Sequence, residues 1–182
     1  MERRKKHKKR RKKRKVFIID ASVLQSAGET EHPISKSCRD VLFEVYEFCH
    51  KVGLTERISD EWKHHYSNFS KKWHRYMNGK GGIENISVTS DIEENFKEYF
   101  KNYPKERDER IVFKDIHLIE AALKADKIIL SRDSEAKNVF NKYAERFPIL
   151  KRIRWVDPTK EEDIKKWIKE GAPIKKKKGL GY

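Results

Sequence analysis

Four carboxylates sit where an acid can take part in chemistry. Asp20 directly follows the apolar run VFII of residues 16–19, and Asp133 comes two residues after the run KIILS of residues 127–131. Short β-branched runs of this kind read as strands covered on both faces, which puts both acids on the rim at the strands' carboxyl ends. Asp115 opens DIHLIEAALKA, which reads as a buried helix feeding the second strand, and Glu61 lies in the first turn of a helix predicted from Asp60 to Met77. Four carboxylates meeting at one sheet edge repel one another and raise their own pKa values until a cation joins them. Oxygen donors without Cys or His select hard ions, Mg²⁺ or Mn²⁺. Such ions activate water, stabilise a leaving oxygen and align an in-line displacement at phosphorus. Helix capping is the competing reading of Asp115 and Asp133, because Asp favours helix N-termini. Asp20 escapes it, since the sequence shows no helix directly behind it.

Other side chains near these acids have plainer readings. His117 follows Asp115 by two residues and points about 200° around the helix from it, as a packing or hydrogen-bonding histidine does. Lys63, His64, His65, Lys71, Lys72 and Arg75 give the helix from Asp60 a basic face, which reads as solvated or, beside an acidic site, as a track for an RNA backbone. Trp62, Tyr66, Phe69 and Trp73 recur at helical spacing and read as core.

The opposite charge sits at the ends of the chain. Of a formal net charge of +15 over 182 residues, residues 1–15 hold 12 Lys and Arg against one Glu, and residues 171–182 hold four Lys and no acid. The body, residues 16–170, is balanced at 28 basic and 28 acidic side chains. The N-terminal arm comprises Arg3, Arg4, Lys5, Lys6, Lys8, Lys9, Arg10, Arg11, Lys12, Lys13, Arg14 and Lys15. Such a run repels itself, has nothing to bury and reads as a disordered polybasic tail that binds RNA phosphates without reading sequence.

The elements that position the acids follow from periodicity and punctuation. After the strand at 16–19 comes a helix from about Ser35 to His50, closed by Gly53, then a weak strand around Thr55–Ser59 and the helix Asp60–Met77, closed by Asn78-Gly79-Lys80-Gly81-Gly82. Ile83–Thr89 reads as extended, and Ser90 with Glu93 forms a capping box for a helix to about Asn102. Pro104 and the charged KERDER stretch close that excursion. The helix 115–125, the strand 127–131, a helix from Asp133 to about Arg146 and a strand at 153–156 follow, and a second capping box of Thr159 and Glu162 opens the last helix, 161–169. Strands alternating with helices predict an α/β fold with a central parallel sheet covered on both faces. Ligands in such sheets bind beyond the carboxyl ends of the strands.

Several classes are excluded. No apolar run approaches the roughly 18–20 residues that span a bilayer, and the apolar run behind the basic arm is too short for a signal-peptide core. Cys38 and Cys49, eleven positions apart on one predicted helix, would be about 16 Å apart, beyond disulfide reach. A reduced, cytoplasmic protein is the expectation. The sequence contains no G-x-x-x-x-G-K-[ST], which removes a P-loop NTPase. A phosphoaspartyl-phosphatase fold would need an acid where Ser22 stands.

The order VFIIDAS, DEW, DIHLIEAAL, IILSRD and IRWVDP resembles the PIN-domain ribonucleases over most of residues 16–157. The resemblance implies a three-layer α/β/α sandwich with the domain at 16–170, in which 78–110 is an insertion relative to compact members. It implies a Mg²⁺ or Mn²⁺ site built from Asp20, Glu61, Asp115 and Asp133, with Ser22 and Ser131 supporting the acidic pocket or the substrate phosphate. The activity it implies is metal-dependent endoribonuclease cleavage leaving a 5′-phosphate and a 3′-hydroxyl. Family members include toxins restrained by a small antitoxin, and PIN domains often dimerise, so an antitoxin-like inhibitor and a homodimer are implied partners besides RNA. The long basic tails depart from the compact toxin pattern. The competing function is a non-catalytic RNA-binding module whose tails carry the affinity.

Overall fold

Each strand is only three or four residues long, and all but the edge strand Ile83–Asn85 are buried over most of their length. The structure is a computed structural model describing residues 14–89, 91–174 and 178–182. The strands are β1 (Val16–Ile19), β2 (Lys51–Leu54), β3 (Ile83–Asn85), β4 (Ile128–Leu130) and β5 (Arg154–Val156). The helices are α1 (Ala21–Ser26), α2 (Pro33–Glu47), α3 (Glu56–His65), α4 (Asn68–Gly79), α5 (Asp91–Asn102), α6 (Glu106–Lys124), α7 (Ser134–Tyr143) and α8 (Ile164–Lys169), with a 3-10 turn at Pro148–Arg152. All strand pairs are parallel, in the order β3-β2-β1-β4-β5. This is the expected α/β/α sandwich.

Strand order locates the functional edge. From β1 the chain moves outward to β2 and β3, then returns to β4 on the other side, so the order reverses between β1 and β4. The crevice at such a reversal is where open parallel sheets bind ligands. The backbone N–H of Asp20 donates to Leu130 O at 2.9 Å and ties the ends of the two strands together there. Phe17, Ile18, Ile19, Ile128, Ile129 and Leu130 are fully buried. The helix α6 packs on β1, β2 and β4 while α3, α5 and α7 lie against it. It is therefore enclosed on nearly all sides from Asp115 to Ala122, which buries Asp115, His117 and Glu120 with its apolar residues.

Several boundaries differ from the sequence reading. The second strand is Lys51–Leu54 rather than Thr55–Ser59; Thr55 instead caps α3, its hydroxyl accepting from the Ile58 N–H. Gly53 lies inside that strand, where a Cβ would meet Ile86 Cδ1 at 2.3 Å and Ile18 Cδ1 at 2.8 Å. It is small for packing, and does not end the preceding helix. The helix predicted from Asp60 to Met77 is two, because Tyr66 is extended and Ser67 starts α4 with its own capping box. Asp115 lies within α6, which begins at Glu106, so KERDER initiates a helix instead of closing an excursion. A short helix, α1, does follow Asp20. At the last helix Thr159 forms no capping box; Asp157 holds the Thr159 N–H and hydroxyl, and α8 starts at Ile164. Ser90 lies outside the described residues, as does most of the polybasic arm, residues 1–13.

Both ends of the body are tied in. Lys15 pairs with Asp126 at 2.9 Å, so it belongs to the fold more than to an RNA-binding arm. At the other end Leu180 is buried and its N–H donates to Ile153 O, which anchors part of what reads in sequence as a basic tail. The stretch 78–110 supplies β3 and α5, whose Phe96 is fully buried, so it is integral to the packed body. Cys38 is buried, Cys49 is exposed, and both are free thiols. No helix among the described residues is long and apolar enough to cross a membrane.

His50 gives the fold a pH dependence. Its Nδ1 accepts the Lys15 N–H, and its Nε2 lies 3.0 Å from Ile168 O, so the neutral ring with hydrogen on Nε2 satisfies both neighbours. Burial lowers its pKa below the ordinary 6.5. The unfolded chain therefore binds the proton more readily, and this contribution to stability, complete above the unfolded pKa, falls away as pH drops below it. Thermal unfolding followed between pH 7.5 and 5 should show this loss, and His50→Gln should flatten it.

Candidate functional site

At the β1–β4 crevice a cleft of about 280 Å³ is lined by Asp20, Ser22, Gln25, Glu61, His65, Lys114, Asp115 and Asp133, together with Ala21. The structure thus brings all four acids singled out in the sequence to one place, with Ser22. Ser131 lies just behind them.

Asp20 occupies the position ahead of α1, yet its side chain does not cap that helix. Its Oδ2 accepts hydrogen bonds from the hydroxyls of Ser22 and, at 2.7 Å, Ser131. Each serine is held in turn: the Arg132 N–H donates to Ser22 Oγ at 3.1 Å, and the Asp133 N–H donates to Ser131 Oγ at 3.0 Å. The turn after β4 therefore positions the acid after β1. A further tether comes from Trp62, fully buried, whose indole N–H donates to Ile19 O at 2.9 Å, one residue before Asp20.

Asp133 both caps and faces the cleft. Its Oδ1 accepts the Ala136 N–H at 2.8 Å, and its Oδ2 accepts from Lys114 Nζ at 3.1 Å. Burial opposes ionisation, but the Ala136 N–H and Lys114 outweigh it and hold the pKa below the ordinary Asp value. Glu61 behaves alike: burial is outweighed by His117 and by the charges of Arg57 and Lys114, and its pKa is lowered. Its Oε2 is 3.0 Å from His117 Nε2, which makes His117 the hydrogen-bonding histidine that the sequence suggested. Neighbouring Asp60 pairs at the surface with Lys63 and does not line the cleft.

Asp115 is the exception. It is 6% exposed, and its buried Oδ2 has no hydrogen-bond partner; the nearest cation, Lys114 Nζ, is 3.6 Å away. Burial pushes its pKa up to about 6, with Asp20 and Asp133 adding to the rise and Lys114 opposing it. Lys114 spans the cleft mouth, its side chain 66% exposed. Among the described residues no three His, Cys, Asp or Glu side chains stand in an arrangement that encloses a metal ion. Ser22 and Ser131 hold Asp20, Lys114 holds Asp133, and His117 holds Glu61. The donor chemistry nonetheless fits a hard cation, because an orphaned buried carboxylate oxygen and three further acids face one small cleft.

Lys114 and Gln25 are cleft residues that the sequence does not single out, and His65, legible only as part of a basic helix face, joins them. Lys114 had a signal, since it adjoins Asp115, but a basic residue beside an acid is common. Gln25 was hidden with α1. Compared with protein-family models, curated proteins and solved structures, the chain has no match.

Proposed function

We propose that the chain is a metal-dependent endoribonuclease of the PIN-like kind, hydrolysing RNA phosphodiester bonds. One observation carries this reading: Asp20, Glu61, Asp115 and Asp133, from four separate segments, line one cleft at the topological reversal of the sheet. Asp20, Asp115 and Asp133 would hold a Mg²⁺ or Mn²⁺ ion, with Glu61 at the edge of the same cleft. When bound, the ion supplies charge stabilisation at the scissile phosphate and a more acidic water. The chain's own residues do the rest. Ser22 and Ser131 orient the Asp20 carboxylate, His117 orients Glu61, and the Lys114 ammonium at the mouth meets the substrate phosphate as a point charge. The basic arm draws RNA to a cleft whose own charge would repel it.

A second reading, a non-catalytic RNA-binding module, is favoured by one observation: Lys114 already meets Asp133 and Asp115, neutralising part of the acidic charge without a metal. Incubating the full chain with single-stranded and structured RNA, with Mn²⁺, Mg²⁺ or a chelator, separates the two. Metal-dependent cleavage is the expected result; RNA retained but uncut with both metals establishes the binding module. Removing residues 1–13 should weaken RNA binding and flatten its salt dependence, by about 0.7 in log-log slope for each phosphate that the arm no longer neutralises. The metal-induced rise in unfolding temperature should be unchanged by the truncation.

A further inference from the structure

A cavity of about 870 Å³ opens beyond the carboxyl ends of β2 and β3 and shares Glu61 and His65 with the acidic cleft. Half-buried Ile86 and Val88, which follow β3, give it an apolar wall, and Arg57 from α3 stands at its edge. His117 and Glu120, one turn apart on α6, also line it and are 4% and 5% exposed. Polar groups this deeply buried are ordinarily paired. Glu120 Oε1 accepts the Glu93 N–H at 3.1 Å, and its carboxylate lines the cavity. Burial raises its pKa above the ordinary Glu value. His117 engages Glu61 through Nε2, and its Nδ1 is buried without a partner.

We propose that this cavity is a nucleobase pocket selecting guanine, on the RNA strand that passes the acidic cleft; the inference rests on the nuclease reading above. A lining rich in carboxylates, with Glu120 the most deeply buried of them, calls for a ligand edge made of donors. Guanine carries two neighbouring donors on its Watson–Crick edge, N1–H and the N2 amino group, which one carboxylate receives side by side. Adenine, cytosine and uracil each set an acceptor beside their donor, and that acceptor would face the Glu120 carboxylate. The flat base face lies against Ile86 and Val88, while Arg57 at the edge accompanies the sugar-phosphate backbone. Exposed bases of single-stranded RNA are read in this way, by apolar contact on the face and hydrogen bonds on the edge. Because the pocket joins the cleft at Glu61, a guanine held there puts a neighbouring phosphate near the acids.

The test titrates the full chain with guanosine, adenosine, cytidine and uridine 5′-monophosphates by calorimetry without divalent metal, and maps the ends of cleaved RNA with Mn²⁺. Guanosine monophosphate should bind about tenfold or more tighter than the other three, and cuts should fall beside guanine. Glu120→Gln keeps an oxygen for the Glu93 N–H but removes the paired acceptors, and should erase both preferences while the unfolding temperature stays near wild type. Equal binding of the four nucleotides by the wild type overturns the proposal, as does an unchanged guanine preference in Glu120→Gln. Should that variant fail to fold, the wild-type comparison decides by itself. Guanine selectivity in a chain that never cuts RNA supports the pocket and removes only the nuclease reading. Metal-dependent cleavage indifferent to guanine does the reverse.

Discussion

Asp20→Asn is expected to lower Mn²⁺-dependent RNA cleavage by about a thousandfold or more while leaving the fold intact. Metal charge stabilisation is worth several kcal/mol, and each 1.36 kcal/mol is a factor of about ten in rate. Asp20 is the acid most fully committed to a fixed geometry, with Ser22 and Ser131 donating to one oxygen and its own N–H bound to Leu130 O. Asn keeps an oxygen for the two hydroxyls and the same shape, so the turn after β4 keeps its anchor. What is lost is the negative charge and one metal-binding oxygen. Cleavage rates on one RNA, with circular dichroism and thermal unfolding as controls for the fold, make the measurement. A variant as active as the wild type would remove Asp20 from the chemistry, and with it the proposed site.

Asp115→Asn is expected to do something less usual, to stabilise the metal-free protein while removing metal binding. Its carboxyl titrates at about 6 in the fold against 3.8 as the reference, so the folded state binds the extra proton between those values. A raised acid pKa means that stability declines as pH climbs through that window and that the full cost persists above it. The displacement corresponds to roughly 3 kcal/mol at neutral pH. Asn carries no charge to bury and removes the repulsion with Asp20 and Asp133. With chelator at pH 7.5 the variant should therefore unfold several degrees above the wild type, on the order of 2–4 °C per kcal/mol, and the advantage should vanish toward pH 4. Added Mn²⁺ should raise the unfolding temperature of the wild type and not of the variant. A variant less stable than the wild type at pH 7.5 would show that the carboxylate is satisfied in the fold. The exchange of stability for a poised charge is common at functional sites.

The legible part of this site was the part encoded by neighbours in the chain. Asp20 and Asp133 stand out because each ends an apolar run, and a strand's carboxyl end is where a parallel sheet meets its ligands. Asp115 is legible as the acid that opens the apolar stretch DIHLIEAALKA, but the helix reaches back to Glu106, since charged residues with good helix propensity extend a helix as readily as they interrupt an apolar pattern. The break between α3 and α4 was concealed because Tyr66 and Ser67 interrupt the backbone without interrupting the aromatic periodicity of Trp62, Phe69 and Trp73. Helix α1 was missed because six residues are too few for a periodic signal.

The alternation of short apolar runs with amphipathic segments determines the layers, and the chain alone places every unit of excess positive charge at its two ends. Both follow from local physics, since burial period and charge count depend on residues near one another in sequence. Strand order does not. It emerges from which crossovers pack, and it alone puts the reversal between β1 and β4, so that Ser131 reaches Asp20 across 111 positions and His117 reaches Glu61 across 56. The same packing encloses α6 on nearly all sides, leaving Asp115 with an orphaned oxygen and His117 with an orphaned nitrogen. Unmet hydrogen-bonding capacity is a property of the folded environment, and no pattern of residue types along the chain announces it.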